Sequence, residues 1–268
     1  MEILNFLHYS FIQRAFFAGS FVAIICSALG LFLVLRKMSL IGDGLSHVSF
    51  GAIALGLFFG IYPFYIAIPL VMLSSILILK ISEKAKIYGD AAIGIVSAVG
   101  ISGGVILASV SKGFNVDLFS YLFGNILAIS TTEVILSVIL SFVVLAVIYF
   151  FYWDLFSATF DEEYAKTTGI KTNFINILLT LLTAITVVLS VKMVGIMLVS
   201  ALLILPAVTA LQLVKGFKRA IIISSIVSLF SVILGISVSF FADLPAGATI
   251  VMINALFFGV AILYKKSV

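Results

Sequence analysis

Residues 14–35 read RAFFAGSFVAIICSALGLFLVL, and no charged residue follows Arg14 within this run. A helix that spans the hydrocarbon core of a membrane needs about 20 predominantly apolar residues. The stretch therefore predicts a transmembrane helix. The whole 268-residue chain has the same character, with 63% hydrophobic and 10% charged residues, whereas a soluble domain carries about 25% charged residues. This composition excludes a water-soluble enzyme, a disordered regulator and a nucleic-acid-binding protein.

Further apolar runs follow the first one along the chain. They cover residues 42–60, 63–80, 91–110, 133–153, 174–191, 194–214, 219–241 and 246–264. Eight or nine spans use most of the sequence, while segment 119–129 is too short to cross a bilayer and is expected to form an interfacial or re-entrant helix. The predicted fold is an all-α, polytopic transmembrane helical bundle in which residues 1–268 form a single domain.

Lysine and arginine are distributed unequally between the two sides of the predicted bundle. If the loop after the first run is cytoplasmic, 12 basic residues lie inside and 3 lie outside. Cytoplasmic loops carry an excess of these residues, so the N-terminus is expected outside and the C-terminus inside. The inner residues are Arg36, Lys37, Lys80, Lys84, Lys86, Lys166, Lys171, Lys215, Lys218, Arg219, Lys265 and Lys266, and the outer ones are Arg14, Lys112 and Lys192.

Two ionisable residues lie inside the second apolar run, where a charge costs about 2.5–3.5 kcal/mol on insertion scales. Asp43 and His47 are four residues apart and share one face of a helix. A carboxylate and an imidazole at this spacing suit zinc, manganese or iron(II), although two ligands are too few for a closed site. The alternative is a hydrogen-bonded pair with no metal. The boundaries place Asp43 roughly 3 Å inside its span, which is shallow for a central site. Either the turn from Arg36 to Leu40 is drawn into the protein, or the predicted orientation needs revision.

Enzymatic functions are not supported by the remaining residues. Ser46 and His47 are adjacent, so on a helix they point about 100° apart and form no nucleophile–base pair. The sequence contains neither a His-Glu-x-x-His motif nor a phosphate-binding Gly-x-x-x-x-Gly-Lys-Ser/Thr loop. If this protein uses ATP, a separate chain must hydrolyse it.

A short capped helix is predicted on the cytoplasmic side, between the fifth and sixth runs. Asp161 or Thr159 is a suitable N-cap, Glu162 and Glu163 suit the first turn, and Gly169 suits the position after the last turn. Such a helix can transmit force from a partner protein. The alternative is an ordinary amphipathic loop helix.

Four stretches of this sequence together resemble the membrane permease subunit of zinc/manganese/iron ABC transporters. They are residues 36–47 (RKMSLIGDGLSH), 160–165 (FDEEYA) with the following Gly169-Ile170, 194–207 (VGIMLVSALLILPA) and 243–248 (DLPAGA). The resemblance covers nearly the whole chain, and the first stretch is the most specific. Gly44 stands where the family commonly has alanine, and the proline often found after the histidine is missing.

The resemblance implies a subunit of an ATP-driven importer of manganese, zinc or iron that works by alternating access, with no permanently bound cofactor. Expected partners are an ATP-binding cassette ATPase, an extracellular metal-binding solute-binding protein, a second copy of the chain and membrane lipid, but no nucleic acid. The expected location is a bacterial or archaeal inner membrane. The expected metal ligands are Asp43 and His47, and the ATPase-coupling residues are Phe160, Asp161, Glu162, Glu163, Ala165 and Gly169.

Two further questions remain open at the level of sequence. Pro206 interrupts the hydrogen-bond ladder of its helix and is either a hinge or a static kink. The protein is alternatively an ion- or proton-coupled secondary cation carrier, in which Asp43, His47 and Glu133 form a proton relay, or a membrane scaffold that transports nothing.

Overall fold

A computed structural model of the chain describes residues 8–85, 87–111, 120–122, 124–125 and 129–267, and this part of the chain contains no β-strand. Eight of its helices are long and apolar enough to cross a membrane, which confirms the predicted helical bundle. The helices are α1 (Ser10–Leu35), α2 (Ile41–Phe58), α3 (Pro63–Ala85), α4 (Gly89–Val110), α5 (Thr131–Phe150), α6 (Tyr152–Phe160), α7 (Glu162–Thr167), α8 (Thr172–Val194), α9 (Val199–Leu213), α10 (Phe217–Ala242) and α11 (Ala246–Ser267).

The seventh predicted run, 194–214, does not form one continuous helix in the structure. Gly195 has a φ of +88° and ends α8, because this backbone conformation is open to glycine but strained for other residues. One 3-10 turn (Ile196–Leu198) follows, and then the 15-residue α9. Helix α9 nevertheless returns to the end of the bundle where the chain finishes, since Gln212 accepts a 2.9 Å hydrogen bond from Lys265.

The helices form an inner and an outer layer. In α1, α2 and α8, 67–72% of the most apolar stretch is buried, against 28–33% in α3, α4, α5, α10 and α11. The first three helices therefore form the core of the bundle, and the other five present apolar side chains to lipid. We call the end where α1 finishes and α2 begins the inner end, in keeping with the excess of basic residues there.

Close packing of α4 fixes the position of α2. A Cβ on Gly100 would lie 2.7 Å from the Cα of Val48, and one on Gly104 would lie 2.5 Å from the Phe50 ring. Only glycine lets the two backbones approach this closely. The Gly-x-x-x-Gly pair of α4 thus packs within the subunit and holds the helix that carries Asp43 and His47.

Most of segment 119–129 lies outside the described residues. Of the described ones, Tyr121 is buried, and Gly124 lies so close to Met193, Val194 and Gly195 that an added Cβ would approach their backbone atoms within 2.7 Å. This part of the segment therefore packs on the outer end of α8.

Candidate metal site and coupling surface

Asp43 and His47 lie in the first two turns of α2 and face the same side. The Nε2 atom of His47 is 3.6 Å from Oδ2 of Asp43, which is too long for a good hydrogen bond. The side chains are 46% exposed for Asp43 and 24% exposed for His47, although most of α2 around them is buried. The two groups therefore face an open space and do not seal each other off.

The imidazole of His47 has further unused bonding capacity. Its Nδ1 atom is buried and has no hydrogen-bond partner. The hydroxyl of Ser46 instead donates a 2.7 Å hydrogen bond to the backbone carbonyl of Asp43, so it is held away from the imidazole. This geometry agrees with the sequence argument against a Ser–His nucleophile.

The neighbours of α2 define where the pair sits. Gly42 faces Leu203 of α9, and Gly44 faces Ile93 of α4. The Asp43–His47 face lies between these two contacts and is left uncovered. Among the described residues no cluster of three or more His, Cys, Asp or Glu side chains is present, so further ligands must be water, a backbone carbonyl or groups from another molecule.

The site lies near the start of its helix, as the sequence boundaries indicated. Asp43 is the third residue of α2, which begins at Ile41, so at 1.5 Å per residue it lies about 3 Å along the helix. The preceding turn from Arg36 to Leu40 stays partly exposed, with Lys37 and Leu40 at the surface.

Arg36 anchors that turn, a role that sequence reasoning missed because it counted the residue only as a topology charge. Its guanidinium donates hydrogen bonds to Oδ1 of Asn176 at 2.6 Å and to the carbonyl of Ala158 at 2.8 Å. Burial lowers the pKa of Arg36, and the nearby Glu162 carboxylate opposes that shift. Arg36 thus links α6, α7 and α8 to the turn that leads into the Asp43 helix.

The predicted cytoplasmic helix is present as two short helices, α6 and α7. Asp161 is the N-cap of α7, because its carboxylate accepts a 2.9 Å hydrogen bond from the amide of Tyr164. Thr159 is not a cap and donates instead to the carbonyl of Leu155. At the other end, Gly169 has a φ of +89° and lies at the predicted position after the last turn.

The predicted coupling residues differ in how they are placed. Phe160, Asp161, Glu163 and Gly169 are exposed, and Glu162 forms an exposed 3.1 Å ion pair with Lys166. Ala165 is fully buried and packs α7 against the bundle. Pro206 is buried in the middle of α9, where its missing amide leaves the carbonyl of Leu202 without a helical partner.

A second polar cluster lies at the outer end of the bundle. Oε1 of Glu133 is 3.5 Å from Nζ of Lys192, and Glu133 also forms a capping box with Ser130 at the start of α5. Lys192 lies 4.6 Å from the centre of the Tyr121 ring. Glu133 is therefore tied to the outer end and is not brought to the Asp43–His47 pair, which weakens the proton-relay alternative.

Comparisons with known proteins agree with this architecture. Residues 8–265 match the family model described as the ABC 3 transport family. The manganese import system permease protein ScaB of Streptococcus gordonii is 36% identical over 258 residues, covering 96% of this chain and 92% of ScaB. The high-affinity zinc uptake system membrane protein ZnuB of Haemophilus influenzae is 33% identical over 252 residues, covering 94% of this chain and 96% of ZnuB.

A solved structure is also similar over nearly the full length. PsaBC from Streptococcus pneumoniae, in complex with Fab, superposes with a TM-score of 0.88 at 35% sequence identity, covering 97% of this chain and 94% of that chain. The arrangement of helices described above is therefore shared with this solved structure.

Proposed function

Because the chain belongs to the ABC 3 transport family, we propose that it imports a divalent transition-metal ion through a site formed by Asp43 and His47. The chain is a permease subunit of a metal-transporting ABC system in the bacterial inner membrane. It is not an enzyme, and a separate subunit hydrolyses ATP in such systems. The metal ion is its substrate and not a resident cofactor.

The observation that carries the proposal is the open, unbonded Asp43–His47 pair. A carboxylate oxygen and an imidazole nitrogen together bind manganese, zinc or iron(II), and ScaB and ZnuB are named for manganese and zinc. An incomplete ligand shell suits a transporter, since the ion must leave as well as enter. In a homodimer, a second copy opposite the open face would supply the same two groups.

Coupling to ATP hydrolysis follows the contacts of Arg36. The ATPase docks on the exposed residues around α7, and its movement reaches Arg36 through Glu162 and the carbonyl of Ala158. Arg36 then shifts the turn that begins the Asp43 helix. Alternating access requires two states with different partner affinities, and Pro206 is the hinge we assign to α9.

The outer partner is a metal-binding solute-binding protein that releases its ion at the outer end of the bundle. The Glu133–Lys192 cluster also lies at that end. Import therefore proceeds from the outer end toward the basic inner end.

The test compares two acids that both begin spanning helices at the inner end. Asp43→Asn removes the charged ligand, while Asp90→Asn removes an exposed acid from the first turn of α4. We expect Asp43→Asn to lower metal-dependent uptake at least about 10–100-fold, the usual cost of disturbing even an outer metal partner. Asp90→Asn should transport normally, with uptake measured in cells that lack other importers.

Assembly with the ATPase is measured in parallel. If Asp43→Asn prevents folding or assembly, the pair is a structural hydrogen-bonded pair and the metal assignment is wrong. Uptake that persists without the ATPase but stops when the ion gradient collapses would instead establish a secondary carrier.

A further inference from the structure

A basic cavity lies at the inner end of the bundle, on the side away from the metal pair. It has a volume of about 360 Å³ and is lined by the loop that leads into α10 and by the aromatic face of α6. Its lining residues are Tyr152, Trp153, Phe156, Lys215, Gly216, Phe217, Lys218 and Arg219. The cavity thus combines three cations with three ring systems from α6.

An apolar furrow continues from this cavity along the bundle. It has a volume of about 580 Å³ and runs between α5 and α10. Tyr152, Trp153 and Lys218 line both spaces, so the two adjoin, and we refer to them together as the cleft. The other walls of the furrow are Leu145, Ile148, Tyr149, Phe150, Ile221 and Ile222.

We propose that this cleft binds an anionic phospholipid of the inner leaflet. The phosphate group lies against Lys215, Lys218 and Arg219, and an acyl chain fills the furrow between α5 and α10. Basic pockets between transmembrane helices on the cytoplasmic side bind lipids of this class. The proposal does not depend on the metal site.

The positive charges of the cleft favour the binding of an anion. Within the described residues, none of Lys215, Lys218 and Arg219 forms an ion pair, and Asp154 on the neighbouring helix α6 forms none with them. The first turn of α10 contains no acid, although a helix N-terminus favours one. The concentration of uncompensated positive charge indicates a negatively charged occupant.

The aromatic residues place the cleft at the depth of the lipid head groups. The Nζ atom of Lys218 lies 5.0 Å from the centre of the Trp153 ring and 5.7 Å from that of Tyr152. Tryptophan and tyrosine are enriched where a membrane meets water. Lys218 is therefore positioned at the boundary between the charged cavity and the apolar furrow.

The furrow distinguishes a lipid from a soluble anion or a protein. Helices α5 and α10 belong to the outer layer and both pack on α1, which leaves their exposed sides facing the membrane. Tyr149 and Phe150 are each 79% exposed. A phosphate ion gains nothing from contact with apolar side chains, and an ATPase subunit does not enter the membrane. An acyl chain, by contrast, would cover these apolar walls.

The occupied cleft would also support the coupling surface. Phe217 packs edge-to-face against Phe156 and Phe160, with ring centres 5.2 Å and 5.7 Å apart. Phe160 begins the predicted coupling residues, so the lipid lies directly behind the helix pair on which the ATPase docks.

The test measures lipid retained by the purified permease–ATPase complex, using native mass spectrometry. The complex is titrated in detergent with dioleoylphosphatidylglycerol or dioleoylphosphatidylcholine. We expect tight binding of phosphatidylglycerol only, and about tenfold weaker binding in a Lys218→Gln/Arg219→Gln variant. Lys80→Gln/Lys84→Gln removes two inner charges outside the cleft and should leave binding unchanged.

A second variant tests the furrow without changing its charge. Ile222 is 59% exposed, so Ile222→Trp is tolerated by the fold but fills the space of the acyl chain, and phosphatidylglycerol binding should weaken. Equal retention of both lipids would overturn the proposal. Displacement of the lipid by inorganic phosphate alone, or a Lys218→Gln/Arg219→Gln variant that loses the ATPase while keeping its lipid, would also overturn it.

Discussion

Two acid–base pairs of nearly equal separation occur at different depths of this bundle. Asp43 and His47 are 3.6 Å apart, and Glu133 and Lys192 are 3.5 Å apart. The first pair lies on one helix and leaves its side chains 46% and 24% exposed. The second pair joins α5 to α8, with Glu133 only 7% and Lys192 only 15% exposed.

The distance between the charged groups therefore does not distinguish the two pairs. They differ in whether their polar atoms already have partners within the protein. Glu133 also accepts a 2.7 Å hydrogen bond from the Ser130 amide, and Lys192 has the Tyr121 ring beside it. His47, by contrast, has a buried Nδ1 without a partner. The outer pair is therefore satisfied within the fold, whereas the inner pair keeps bonding capacity that the proposed metal ion would use.

Replacing His47 should cause the largest functional loss with little effect on stability. His47→Ala removes one of the two proposed ligands, so uptake should fall below detection. The same change removes an unpartnered polar atom, so the free energy of unfolding should change by only about 1 kcal/mol. Transport assays and thermal unfolding of the purified complex measure the two effects, and a large loss of stability would assign the pair a structural role.

Breaking the outer pair should produce the opposite result. Lys192→Met leaves the Glu133 carboxylate buried without its partner, which typically costs about 3–5 kcal/mol. Adding Glu133→Gln should recover much of this loss, since glutamine also completes a capping box. Uptake per folded molecule should remain near normal in the double variant.

Thermal unfolding of the single and double variants provides the double-mutant cycle. If the double variant is folded but transports nothing, Glu133 takes part in ion passage. The distinction between a structural outer pair and a functional inner pair would then fail.

The two pairs also differ in how far the sequence predicts them. Asp43 and His47 are four residues apart inside an apolar run, so local periodicity alone places them on one face. Glu133 and Lys192 are joined only by tertiary packing, and a single sequence gives no sign of that contact. The same holds for the contact between Arg36 and Asn176 and for the positive φ of Gly195, which ends α8.

Helix capping lies between these extremes. Sequence predicts Asp161 or Thr159 as the start signal of this helix and Gly169 as its end signal, because their chemistry acts within a few residues. The choice of Asp161 over Thr159 comes from the structure. The division of that region into α6 and α7 was not predicted, because it depends on Leu155 and Ala158 packing against the body of the bundle. Local rules thus give the ends of α7, and tertiary packing determines the orientation of α6.

Removing the hydroxyl of Tyr62 should have the smallest effect on stability among these changes. It tests how closely Tyr62 packs against Glu133 of the outer pair. Burial raises the pKa of Tyr62 above its usual range, and the neighbouring Glu133 carboxylate adds to the shift. The hydroxyl is buried without a partner that meets ordinary hydrogen-bond geometry, so Tyr62→Phe should change the free energy of unfolding by less than about 1 kcal/mol at neutral pH.

The pH dependence of stability in Tyr62→Phe provides a second test of the contact between Tyr62 and Glu133. Because the folded state holds the phenol proton more tightly than the unfolded state, the contribution of Tyr62 is constant below the usual tyrosine pKa of about 10 and is lost as the pH rises above it. Wild-type protein should therefore lose stability more steeply than Tyr62→Phe between about pH 10 and 11. If the free energy of unfolding falls equally steeply with pH in both proteins, Tyr62 is not held against Glu133. The Glu133–Lys192 pair would then be less enclosed than the structure indicates.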